Sequence, residues 1–66
     1  MRLKETTFED LKKPDMLLIV SNDGEAFDRV FFQIQTEKHL TVHRFVQDDY
    51  ITFNKSSIIE LNKYSD

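Results

Sequence analysis

The chain has 66 residues, no cysteine, a single glycine, a single proline and a formal net charge of −3. That length supports at most one small domain, 1–66, burying only about 60% of the unfolded surface. Without cysteine there are no disulfides and no thiolate metal sites, and the acidic balance disfavours a phosphate-backbone binder, which needs a basic face.

The charge is unevenly spread. Residues 1–13 carry +1 and the remainder −4. No apolar stretch follows the N-terminal basic residues, so no secretory leader is expected. The longest apolar run, Met16 to Val20, is far too short for a bilayer-spanning helix. Together with the lack of cysteine, this fits a protein of the reducing cytoplasm with no membrane partner. A scaffold this small often gains stability from a disulfide, a metal or a partner chain. With disulfides excluded, self-association or a larger protein partner is the expected support.

In chain order, Thr6 and Glu9 have capping-box spacing, and Phe8 and Leu11 would share a helical face. Pro14 disfavours helical geometry at Lys13. A short helix over Thr7 to Lys12, within a helical N-terminal segment 1–15, is therefore expected. It would dock Phe8 and Leu11, with Leu3 beside them. Met16 to Val20 reads as a central strand covered on both faces. Ser21-Asn22-Asp23-Gly24 is a turn. Strands are then expected over 29–36, 39–47, 50–55 and 58–63, so that 16–64 forms the sheet or barrel.

The phase of the alternation fixes more. Val30, Phe32 and Ile34 share one face of the second strand, and Phe31, Gln33 and Gln35 share the other. A two-residue turn at Glu37-Lys38 in a regular ladder would set Thr41 beside Ile34 and mix the faces. A three-residue loop, Glu37 to His39, or a bulge with the same effect keeps the apolar face whole. Arg44 then sits at a sheet margin, snorkels, or marks a bulge that turns Phe45 inward. The fold class is mainly β (α+β): a short N-terminal helix followed by about five antiparallel strands. They would form a small SH3-like or Sm-like barrel or a strongly bent sheet. The glycine that Sm-type proteins carry inside strand two is absent, since those positions read Phe31-Phe32-Gln33.

Catalytic chemistry finds no foothold in the chain. His39 and His43, four residues apart on a strand, would lie ~13 Å apart and cannot share a metal. No nucleophile elbow surrounds Ser21, Ser56 or Ser57, and one glycine cannot build a phosphate loop. Asp48 and Asp49 read as a turn. No enzyme, metal or cofactor is expected. The aromatic residues are more informative. Phe31 and Phe45, ringed by Gln33, Thr41 and His43, resemble an interface centre with a polar rim. Alternatively the N-terminal helix covers them as a second core layer.

The expected function is a non-catalytic binding or regulatory module that works by protein–protein contact or as a homo-oligomer, for instance as an inhibitor or accessory factor. The richness in Lys, Asn, Ile and Phe is compatible with bacterial or phage origin. The candidate partner-binding residues are Phe31, Gln33, His43, Arg44, Phe45 and Tyr50. The alternatives are an RNA- or single-stranded-DNA-binding small barrel, with the aromatics stacking on bases and Arg44, Arg29 and Lys38 on phosphates, and a structural subunit of a larger assembly.

Overall fold

In the computed structural model, which describes residues 1–65, six strands run in chain order. They are β1 (Arg2–Glu5), β2 (Met16–Ser21), β3 (Ala26–Gln35), β4 (His39–Arg44), β5 (Asp49–Asn54) and β6 (Ile58–Ser65). All pair antiparallel in one sheet of order β1-β6-β2-β3-β4-β5, so the protein is mainly β. The sheet is open, with β1 and β5 at its edges.

The N-terminal helix expected within 1–15 does not form. Arg2–Glu5 is a strand on β6, and Phe8–Asp10 is a single 3₁₀ turn. The capping box is not made, because Thr6 Oγ1 donates to the Thr7 carbonyl instead. The physical reason is length. Two turns cannot repay helix nucleation, whereas pairing with β6 satisfies the backbone along a four-residue register. Thr6 N–H extends that pairing by donating to the Leu61 carbonyl at 3.0 Å. Phe8 and Leu11 nevertheless dock on the core as expected, while Leu3 stays exposed.

β2 is central, as its apolar run implies, but its two sides differ. Leu17, Ile19 and Ser21 are buried, and Met16, Leu18 and Val20 are half-buried. The buried side belongs to the single core: Leu11, Leu17, Ile19, Val30, Phe32, Leu40, Val42, Phe53 and Leu61. We call this the inner face.

One sheet can enclose its own core only by bending. Phe27 of β3 and Phe53 of β5 meet edge to face, 5.0 Å between centroids, although β4 lies between their strands. In a flat sheet strands two apart are ~10 Å from one another. The chain makes this bend with bulges instead of glycine kinks. β3 carries two, at Arg29 against β2 and at Gln33 against β4. Arg29 takes φ +56°, in the left-handed region. β6 carries a third bulge at Ile59, which is exposed.

The bulge at Gln33 settles the register. The β3–β4 turn is the two-residue one, Glu37-Lys38, closed by Thr36 N–H to the His39 carbonyl at 2.9 Å. The bulge restores even-with-even pairing, so Phe32 lies opposite Val42 and Val30 opposite Arg44. The apolar face is kept by this bulge and not by a three-residue loop. Ile34 is the exception. It lies beyond the bulge, pairs with Thr41 and is 64% exposed, so it leaves the apolar face to which strict alternation assigns it.

Candidate functional site: an open aromatic face

The outer face of β3, β4 and β5 carries a row of side chains set by register alone. Phe31 lies opposite His43, and His43 opposite Tyr50. On the β2 side Met16 continues the row beside Phe31. The His43 and Tyr50 rings are 4.9 Å apart. Phe45, in the turn after β4, folds back over this row. Its ring stands edge to face with Phe31 at 6.0 Å and with His43 at 5.9 Å. Aromatic pairs prefer such edge-on contacts over face-to-face stacking.

None of the described residues covers the cluster. Phe45 is 73% exposed and Tyr50 65%, whereas the His43 side chain is only 16% exposed beneath them. The N-terminal segment covers the opposite side of the sheet. Phe8 packs against the inner core, and its carbonyl accepts the Gln35 side-chain amide at 2.9 Å. Gln35 pairs with buried Leu40. The second-core-layer reading of Phe31 and Phe45 is thereby excluded among the described residues. Beside the aromatics lie Thr41 and Thr52, joined through their hydroxyls at 2.9 Å, with exposed Ile34 opposite Thr41.

Of the six candidate residues, four meet in this cluster: Phe31, His43, Phe45 and Tyr50. Gln33 occupies the bulge, and its amide turns back to the Phe31 carbonyl at 3.4 Å. Arg44 does not join them. It sits at the sheet margin, opposite Val30 on the other side of β4, and clamps Asp49 with two hydrogen bonds of 2.7 and 2.5 Å. These bonds raise the guanidinium above its ordinary value and lower the Asp49 carboxyl below its own. Phe45 stays outward.

Two residues that looked like bare turn tips are engaged. Asp48, at φ +53°, holds His43 Nε2 at 3.1 Å, and Asp49 holds Arg44. Both pairs span a hairpin of known ends, so the β4–β5 turn length was the signal that could have found them. Elsewhere, the Ser21 hydroxyl donates to the Asp23 carboxylate, which also accepts Glu25 N–H. These bonds hold the Asp23 carboxyl below its usual value. They close the β2–β3 turn, where Gly24 takes φ +88°.

Among the described residues no group of three or more His, Asp or Glu side chains is placed to hold a metal. No helix among them is long and apolar enough to cross a membrane. No family model, curated protein or solved structure matches the chain.

Proposed function

We propose that the protein is a non-catalytic binding module that captures a protein partner on the outer face of β3, β4 and β5. The observation that carries this reading is the uncovered Phe31–His43–Phe45–Tyr50 cluster. Exposed aromatics anchored on a rigid sheet lose little side-chain freedom on binding, and such residues dominate interface energetics. Thr41 and Thr52 would form part of the polar rim, and Phe45 would enter the partner. The scaffold would be an opened version of the small SH3-like or Sm-like barrel that the strand pattern suggests. An inhibitor or accessory factor of the bacterial or phage cytoplasm is the setting this reading implies.

The nucleic-acid reading has less support. It needs a cation beside the aromatics, and Arg44, the nearest along the strand, is occupied by Asp49. His43 is likewise held by an acidic side chain.

A photo-crosslinking residue in place of Phe45, with one in place of Leu3 as control, tests the assignment in the source cell. A protein adduct from position 45 and none from position 3 is expected. Adducts to nucleic acid alone, or equal protein adducts from both positions, would overturn it.

A further inference from the structure

The two edges of the sheet differ. β1 is four residues long and carries Arg2, Lys4 and Glu5, the charged kind of edge that resists pairing. β5 reads Asp49-Tyr50-Ile51-Thr52-Phe53-Asn54, pairs among the described residues only with β4, and has no lysine or proline within it.

The free side of β5 can be read residue by residue. Lys55 N–H donates to the Lys38 carbonyl at 2.9 Å, one step past the His39–Asn54 pair. In an antiparallel ladder hydrogen-bonded and non-hydrogen-bonded pairs alternate. Odd-numbered residues of β5 therefore bond to β4. Tyr50, Thr52 and Asn54 turn their backbone N–H and C=O toward the open edge. All three are exposed.

We propose that a second copy of this chain pairs on this edge, β5 to β5, antiparallel about a two-fold axis at Thr52. In that register Thr52 faces Thr52 of the second copy and Tyr50 faces Asn54. About six backbone hydrogen bonds then form, satisfying all three outward residues. Even positions meet even positions, so the faces match. Half-buried Ile51 lies opposite buried Phe53 and extends the inner apolar layer. One step further out, Asp49, held by Arg44 within its own chain, lies opposite Lys55, whose ammonium sits over the Phe8 ring, so residues of opposite charge stand opposed at each end of the pairing. Sliding by two residues keeps the faces but loses this charge match and one pair of bonds. Tyr50 and Thr52 thus belong to both surfaces through their strand, whereas Phe31 on β3 and Phe45 in the turn after β4 lie outside the pairing and remain open in the dimer to a protein partner.

Sedimentation of the full chain over a concentration series, with amide hydrogen exchange, tests the pairing. The expected result is a mass twice that of the 7.9 kDa chain, with slow exchange at the Tyr50, Thr52 and Asn54 amides. Thr52→Lys sets two ammonium groups face to face across the axis and should return the chain to one protomer with fast exchange at these amides. Thr52→Pro should do the same, since the ladder turns the Thr52 N–H away from β4 toward the open edge. If the proline variant does not fold, the lysine variant decides. Phe45→Glu should leave the dimer intact. A single-protomer mass at every concentration, or a dimer that survives Thr52→Lys, would overturn the proposal while leaving the crosslinking test at position 45 unaffected.

Discussion

His43 and Tyr50 face one another across β4 and β5 in a non-hydrogen-bonded pair, their rings 4.9 Å apart. Side chains in such pairs come closest together, which is why an aromatic row forms here without any helix to hold it. Phe45 then closes over the row from the turn.

Because Phe45 is mostly exposed, its removal should hardly touch the fold. Phe45→Ser is expected to change stability by no more than about 0.5 kcal/mol, as surface substitutions do. Phe32→Ala, one strand inward, should cost about 3–5 kcal/mol. That is comparable to the whole stability of a domain this size. Urea titration of both variants checks the contrast. Equal losses would mean that Phe45 is part of the core.

Leu11 tests the role of the N-terminal segment. It is buried with the sheet residues although it belongs to no strand. Leu11→Ala should cost about 2–5 kcal/mol and lower the melting of the whole sheet in one transition. A variant whose sheet melts as in the parent would show the segment to be peripheral.

Arg29 sits in the left-handed region, where a Cβ costs roughly 1–2 kcal/mol. Its side chain is exposed and only 4.0 Å from Asp28. Arg29→Gly relieves the strain, offset in part by the greater freedom of glycine in the unfolded chain. A net gain of about 0.5–1 kcal/mol should raise the melting temperature by several degrees. Arg29→Ala should not. Lower melting for the glycine variant would contradict the strain argument.

The Arg44 hydrogen bonds lower the Asp49 carboxyl from its ordinary 3.8. A group depressed in the folded state stabilises above its unfolded value, and that contribution is lost as pH falls through the folded value. The pair is solvent-accessible, so the effect is small. Between about pH 5 and pH 2 the parent should lose melting temperature faster than Asp49→Asn, with a constant offset above that window. Parallel curves would mean that the clamp adds nothing.

Most strands were legible from apolar pattern: Met16–Ser21 as a continuous apolar run, and the body of Ala26–Gln35, His39–Arg44 and Asp49–Asn54 by alternation. The need for an odd-length loop or an equivalent bulge beyond the alternating block, after Thr36, was legible from phase. Its place at Gln33 was not, since a three-residue loop would have served the same pattern. β1 left no trace, because Arg2-Leu3-Lys4-Glu5 is exposed throughout and is held by backbone pairing. The cluster residues were legible by face. The escape of Arg44 from that face depends on Asp49, which a turn of four residues brings alongside.

The most direct measurement is the affinity of the protein captured at position 45 for the parent chain and for Phe45→Glu. Loss of a central aromatic anchor costs about 2 kcal/mol or more. At least ~30-fold weaker binding is therefore expected for Phe45→Glu, with an unchanged melting temperature. Equal affinity for the two chains, both folded, would contradict it.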